Sequence, residues 1–398
     1  MSFSISKRCA AIAPSPTLAI DAKAKAMKAE GQRIIGFAAG EPDYDTPAAI
    51  REAALEAMNK GMTRYTPTSG MPSLKQAICK KLLRDNGLSY TPNQIIVSNG
   101  AKHSISNACL ALLDPGDEVL LPAPYWVSYP EMIRMADGVP VIVHTDRNEQ
   151  FIPTVDAFQK CLTSRTKAII LNSPSNPAGC VYGKAQLQEI ADFAIQNDLA
   201  VVSDEIYEHL VYDGAEHVSI AALNDAIKAR TVVINGVSKS YAMTGWRIGY
   251  AAGPIEIIQA MDAYQSHATS GPNTIAQAAS IEALNNGGAF IKEMHSEYDE
   301  RRRMMIDLIH QMELSCVVPR GAFYVMLDCS KIIGASFHGK EIQNTLVLSD
   351  LLLEEAKVAV VPGEPFGAPG FCRLTYAISR GDIQDGLKAI EAFIHQLD

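Results

Sequence analysis

The chain predicts an α/β fold: a mostly parallel, seven-stranded sheet in a large domain, followed by a smaller α+β domain. Three observations carry this reading. Short β-rich apolar runs recur from Ile95 to Ala252, most of them separated by amphipathic stretches of helical length. The runs are near-continuously apolar, as strands covered on both faces are. From about Gly287 the alternation stops, and a long charged helical stretch leads into mixed strands and helices.

In chain order, residues 1–45 read as irregular, broken by Pro14, Pro16 and Pro42, with the Ala/Lys stretch Ala19–Glu30 as a candidate helix. Thr46-Pro47 opens a helix with Thr46 as N-cap and Pro47 at its first position, and Gly61 closes it. A second helix runs from about Pro72 to Asn86 and ends at Gly87. The expected strands are Ile95–Ser98, Val119–Leu121, Val139–His144, Lys167–Asn172, Leu199–Ser203, Thr231–Asn235 and Ile248–Ala252. A long helix, about Ile291–Gln311, carries Arg301-Arg302-Arg303, read as a solvated face. Ala322–Leu327, Val358–Val361 and Cys372–Ala377 complete the second unit. The expected division is 46–286 as the large domain, 287–398 as the small one, and 1–45 as a segment packing with the small domain.

Composition narrows the class. At about 150 residues per domain, 398 residues make two or three domains. Hydrophobic residues at 47% against charged residues at 20% exclude disorder as the main state. A net charge of −9 argues against a nucleic-acid partner. No apolar run approaches the ~18 residues of a membrane span. Lys7 and Arg8 precede a small-residue stretch that stops at Pro14, too short for a secretory signal. The eight cysteines are scattered without a Cys-x-x-Cys pair, which reads as buried thiols in a reducing compartment. The expectation is a cytoplasmic enzyme with no metal site and no membrane partner.

In open α/β sheets ligands bind beyond the carboxyl ends of the strands. The residues just past each strand are therefore informative. Ser98-Asn99-Gly100 before a helix offers backbone amides and a helix N-terminus to a phosphate, although ordinary strand-to-helix turns look the same. Asp204 ends a buried strand, where a carboxylate is costly unless paired; the plainer reading is a helix N-cap. Lys239 lies between two serines beyond another strand, either a surface lysine or an amine of lowered pKa able to form a Schiff base. Arg247 calls for an anion. Trp126 suits a core position or a stack on an aromatic ligand. A nicotinamide site would need Gly-x-Gly-x-x-Gly, which is absent. A P-loop would need Gly before Lys-Ser, where Ser238 stands. The combination of amine, carboxylate, hydroxyls, arginine and aromatic matches what pyridoxal 5′-phosphate requires.

Asn172-Ser-Pro-Ser-Asn-Pro-Ala-Gly179, Ser203-Asp-Glu-Ile-Tyr-Glu208 and Ser238-Lys-Ser-Tyr-Ala-Met-Thr-Gly-Trp-Arg-Ile-Gly249 resemble the motifs of class I/II aminotransferases. These are pyridoxal-phosphate enzymes of fold-type I. Gly40-Glu-Pro-Asp-Tyr-Asp-Thr-Pro47 and Tyr125-Trp-Val-Ser-Tyr-Pro130 narrow the resemblance to the bacterial aspartate aminotransferase subgroup. The resemblance spans nearly the whole chain.

It implies a role for each matching residue. Lys239 matches the Schiff-base lysine that also moves the substrate α-proton. Asp204 would pair with the pyridine nitrogen, and Tyr207 and Asn176 with the 3′-oxygen. Trp126 would stack on the ring. Gly100, Ala101, Lys102, Ser238 and Arg247 would hold the phosphate, joined by Tyr65 from the other subunit of a homodimer. Arg373 would clamp the substrate α-carboxylate, a role its position in a strand does not announce, and Gly40 would touch the substrate through its backbone. Trp126 and Asn176 would also face the substrate, and Ser15, Thr17 and Lys102 match the positions serving its distal carboxylate. The implied reaction is ping-pong transfer of the amino group from L-aspartate to 2-oxoglutarate. Relatives that also accept prephenate carry a lysine where this chain has Ala13, which argues against that acceptor. The alternatives are a prephenate or aromatic aminotransferase, a β-lyase of the same fold, or a transcription regulator. The last would need a basic domain ahead of Thr46, for which only about 45 residues of an acidic chain remain.

Overall fold

The computed structural model describes residues 4–14 and 16–398. Seven strands form the large sheet: β1 Ile95–Ser98, β2 Glu118–Pro122, β3 Val139–Val143, β4 Thr166–Asn172, β5 Ala200–Asp204, β6 Thr231–Gly236 and β7 Gly249–Ala252. Their spatial order is β1-β7-β6-β5-β4-β2-β3. Only β7 runs antiparallel to its neighbours, β1 and β6. The sheet is therefore mostly parallel, as the sequence predicts.

The apolar runs have the expected cause. Ile95, Val97 and Val233 pack on one face beneath helices Pro72–Asn86 and Thr274–Asn286. Their neighbours Ile96, Val232 and Ile234 pack on the other face with helices Ala101–Leu112 and Ile255–Ala268. Both faces are dry, so alternation disappears from the strand sequences. The exception is β3, whose Pro140 withholds a ladder donor, and which lies at the edge with Val139 exposed.

A second, four-stranded antiparallel sheet contains β8 Ser315–Val317, β9 Tyr324–Asp328, β10 Val361–Pro362 and β11 Phe371–Thr375 in the order β10-β11-β9-β8. The segment ahead of Thr46 touches both sheets' surroundings. Ile35-Gly36 pairs in parallel with Val358-Ala359, and Lys23 binds Asp350 and Glu354 at 3.0 and 2.9 Å. Nearer the N-terminus, Arg8 pairs with Asp137 and the Ala13 amide donates to Glu131, both beside β3.

Three expectations are corrected. Thr46 is not an N-cap: the helix runs Ala48–Asn59 with Pro47 at the cap and no side-chain cap bond. The Thr46 hydroxyl instead donates to the Ala242 carbonyl and accepts from the Trp246 indole at 2.9 Å, fastening the Gly40–Pro47 loop to the segment after Lys239. Arg301-Arg302-Arg303 is not a solvated face. Arg302 is buried against Asp213, Asp299 and the Tyr212 ring, and Arg301 binds Asp43 and Glu297, while only Arg303 is exposed. A charge run says nothing about what lands on it, and here Asp43 and Asp213 arrive from distant segments while Glu297 and Asp299 pair from the same helix. The thiols are free but not uniformly buried: Cys9 is exposed and Cys79, Cys161 and Cys316 are half-buried. No helix among the described residues is long and apolar enough to cross a membrane.

Candidate active site

The carboxyl ends of β1, β4, β5 and β6 open onto a cavity of about 480 Å³, closed on its far side by β9, β11 and the Ala38–Glu41 loop. Parallel strands all end on one side, so residues far apart in sequence meet there. Among its lining residues are Gly40, Ala101, Lys102, Trp126, Asn176, Asp204, Tyr207, Ser238, Lys239, Arg247 and Arg373.

Asp204 is the last residue of β5, only 3% exposed. No helix comes directly after it, so it caps nothing. Its Oδ2 accepts from the Tyr129 phenol at 2.7 Å and its Oδ1 from the Ile206 amide at 3.2 Å. Burial pushes its carboxyl up to about 6 despite these two donors, which favour the charged form. Asn172, at the end of β4, donates to the Asp204 carbonyl at 2.9 Å and accepts from the Asn176 amide at 2.8 Å. One side chain thus ties the Asn-x-x-x-Asn turn to the neighbouring strand.

Lys239 lies three residues past β6. Its Nζ donates to the Gly40 carbonyl at 2.6 Å and stands 5.9 Å from the Tyr207 ring and 5.8 Å from the Phe323 ring. Burial lowers its amine to about 8; Glu41 opposes this, and Arg373 and Arg247 push the same way. At about 8 the amine has a free-base fraction near neutral pH far larger than that of an ordinary surface lysine, although the ammonium still predominates there.

Arg373 on β11 is 3% exposed. It donates to Asn176 Oδ1 at 3.0 Å and to the Ala38 carbonyl at 2.8 Å, and lies 4.4 Å from the centre of the Tyr324 ring. Its Nε has no partner, and among the described residues no carboxylate pairs with it. A buried guanidinium held only by neutral acceptors is a receptor for an anion. Tyr207 donates to or accepts from Tyr324 at 3.0 Å on the same wall.

The second cationic corner is built from backbone. Gly100, with φ +87°, caps helix Ala101–Leu112 without any side-chain cap, and first-turn amides have no partner inside a helix. A Cβ at Gly100 would overlap the Arg247 guanidinium, and one at Gly249 would overlap the Ala101 amide. Both glycines therefore let Arg247 and the helix N-terminus share one pocket corner, which Ser238 also lines. This is a cradle for a phosphate-sized anion.

The other residues expected from the sequence are spread around this cavity and beyond it. Trp126 is half-buried on the cavity wall, with the Lys102 ammonium 4.8 Å from its ring centre. Thr17 lines the cavity from helix Pro16–Ala29. Ser15 lies outside the described residues. Tyr65 is 99% exposed and is not part of this chain's own cavity wall. Ala13 lines the adjoining cleft beside Glu131. Sequence reasoning misses Tyr129, Tyr324 and Glu41, which all line the cavity. Tyr129 and Glu41 sit inside the motifs that carry the resemblance, but nothing local shows which way they point.

Comparison with known proteins agrees with this geometry. The family model for aminotransferase class I and II matches residues 32–390. The chain is 46% identical over 391 residues to an aspartate aminotransferase of Bacillus sp. (strain YM-2), covering 98% of this chain and 99% of that one. It is 44% identical over 394 residues to an aspartate/prephenate aminotransferase of Nitrosomonas europaea, covering 98% and 99%. It superposes on the aspartate aminotransferase from Thermus thermophilus with maleate at a TM-score of 0.93 and 43% identity, over 98% of this chain and 100% of that one. With a strand-end lysine, a buried carboxylate and two anion receptors around one cavity, the chain belongs to the class I and II aminotransferases, in the aspartate aminotransferase subgroup.

Proposed function

We propose that the protein transfers the amino group of L-aspartate to 2-oxoglutarate, giving oxaloacetate and L-glutamate, with pyridoxal 5′-phosphate as cofactor. The observation that carries this is the joint presence in one cavity of the Lys239 amine, the Asp204 carboxylate and the unpaired Arg373 guanidinium. The residues fit the cofactor. A buried carboxylate without an ion pair among the described residues awaits a cation, and the Gly100 cradle suits a phosphate.

Lys239 would hold the aldehyde; Asp204 the ring nitrogen; Tyr207 and Asn176 the 3′-oxygen; Trp126 the ring face. Ala101, Lys102, Ser238 and Arg247 would take the phosphate. When bound, the cofactor supplies an aldehyde that accepts the amino group and a cationic ring that draws electrons from the substrate α-carbon. Asp204, anionic in that state, keeps the ring charged. Arg373 orients the α-carboxylate, with Asn176 and the Gly40 backbone beside it. Lys239 Nζ takes the proton from the α-carbon and returns it on the other side of the transfer. Thr17 and Lys102, which line the cavity, face the distal carboxylate, the role that the resemblance also gives Ser15. That the Thermus relative is described with maleate, a four-carbon dicarboxylate, supports a site with two carboxylate receptors.

On this reading the enzyme works in the cytoplasm as a homodimer, and exposed Tyr65 reaches the phosphate of the other subunit. Residues 46–286 are the large domain and 287–398 the small one, and the 1–45 segment packs with the small domain through Ile35-Gly36 and Lys23 while Arg8 and Ala13 reach the large one.

The test is a panel of amino donors against 2-oxoglutarate and prephenate. Aspartate with 2-oxoglutarate should be the fastest pair, and Ala13, which offers no charge, should leave prephenate slow. Faster turnover of aromatic donors than of aspartate would overturn the substrate assignment. Arg373→Ala should lower kcat/KM for aspartate by roughly 100-fold or more, since it removes one partner of a buried charge pair.

A further inference from the structure

Resting on that reading of the cavity, we propose that Tyr129 is a positioning residue: its phenol keeps Asp204 ionised and correctly turned, so that cofactor affinity and the acid limit of activity depend on one neutral hydroxyl. Tyr129 is 1% exposed and is the only side chain among the described residues that donates to Asp204. The other donor, the Ile206 amide, is backbone.

The geometry explains why this donor works in one direction. Burial, then the neighbouring Asp204 charge, raises the Tyr129 hydroxyl well above its ordinary value, so it stays protonated throughout the working range. A phenol that is always protonated donates most strongly to a carboxylate, so it favours the ionised Asp204 over the neutral acid. The other groups facing Asp204 act on its charge but do not hold it. Glu205, the next residue, opposes ionisation, while its own carboxylate is occupied by Ser203 at 2.8 Å, Ser219 at 2.7 Å and His217 at 3.2 Å. Lys239 favours ionisation, but its ammonium donates to Gly40. Tyr207 faces Tyr324.

Tyr129 is also tied to the ring wall. Its amide donates to the Trp126 carbonyl at 2.9 Å, and its ring meets Trp126 edge-on at 5.4 Å. One turn of chain therefore presents both the aromatic wall and the donor that orients the carboxylate.

The experiment replaces Tyr129 in the full-length holoenzyme. Tyr129→Phe should move the acid limb of kcat/KM against pH upward by about one unit, equivalent to about tenfold in proton affinity. It should weaken pyridoxal 5′-phosphate binding by roughly tenfold, measured by fluorescence titration of the apoprotein. Infrared difference spectra of the Tyr129→Phe apoprotein should show a protonated carboxyl at neutral pH that disappears in Tyr129→Phe/Asp204→Asn. Incorporating 3-fluorotyrosine at position 129, a more acidic phenol and a stronger donor, should move the acid limb downward; this arm remains if Tyr129→Phe does not fold. A merely structural role would lower activity without moving the pH limb in opposite directions. An unmoved limb with unchanged cofactor affinity in both variants overturns the proposal. If the parent protein itself takes up no cofactor, the reading of the whole cavity fails instead.

Discussion

Lys239→Ala is expected to abolish amino transfer, lowering kcat by roughly 10⁴-fold or more, while the protein still folds. The expectation rests on position: Nζ donates to the Gly40 carbonyl at 2.6 Å and stands 5.9 and 5.8 Å from the Tyr207 and Phe323 rings. On the proposed reading, its replacement removes the proton carrier and the covalent anchor together. It also removes a charge that burial disfavours, so thermal stability of the apoprotein should not fall.

The pH dependence has a defined sign. The amine is lowered to about 8, so its reactive base form grows about tenfold per unit as pH rises towards 8 and levels off above it. The rate at which the apoprotein combines with pyridoxal 5′-phosphate should track that curve. Stopped-flow absorbance of cofactor uptake, together with coupled assays of oxaloacetate release, checks both statements. A Lys239→Ala protein that turned over aspartate at the parent rate would sink the assignment.

The largest effect on stability is expected away from the cavity. Lys81 is 2% exposed and pairs with Glu208, the residue after Tyr207. Glu208 also accepts from Asn86 and Asn235, each at 2.8 Å, and His209 stands 3.5 Å away. Burial by itself would raise the Glu208 carboxyl, but Lys81 above all, then His209 and His217, hold it well below the ordinary range. Lys81→Met leaves that carboxylate buried without its cation.

The cost should be about 3–5 kcal/mol, or on the order of 10 °C in thermal midpoint. Calorimetry of the parent and variant measures it. Lys81→Met/Glu208→Leu should recover most of the loss, because two apolar groups leave no uncompensated charge. The depressed carboxyl sets the sign with pH: Glu208 contributes stability above its ordinary value of 4.5, and that contribution is lost as pH falls through its folded value. Lys81→Met should therefore differ least from the parent in strong acid. Because Glu208 is next to Tyr207 in the chain and Asn235 lies just before the Ser238-Lys239 turn, the variant should also loosen the floor of the active site.

Much of this protein is legible in its sequence. All seven strands of the large sheet appear within about a residue or two of their expected positions. Their signal is local: β-rich apolar runs bounded by turns, interrupted by helical stretches. The cavity is legible because parallel strands end together, so the residues just beyond the strand ends bring Asp204, Lys239 and Asn176 to one place, and Arg247 joins them because it precedes β7, which runs antiparallel and so starts on that same side. Arg373 is different. Nothing in Phe371–Thr375 marks an anion receptor, and only family resemblance points to it.

What only the tertiary structure decided is which charges meet. Thr46 reads as a helix cap, yet its hydroxyl serves Ala242 and Trp246. Arg302 reads as solvated, yet Asp213 arrives from 89 residues away to bury it. Tyr129 carries no local signal beyond its place in the Tyr125–Pro130 motif, yet it is hydrogen-bonded to Asp204 across 75 residues. Periodicity and turn chemistry are properties of neighbours along the chain. The partner of a buried polar group depends on which distant segment the fold sets against it, and the high cost of leaving such a group unpaired makes that choice decisive.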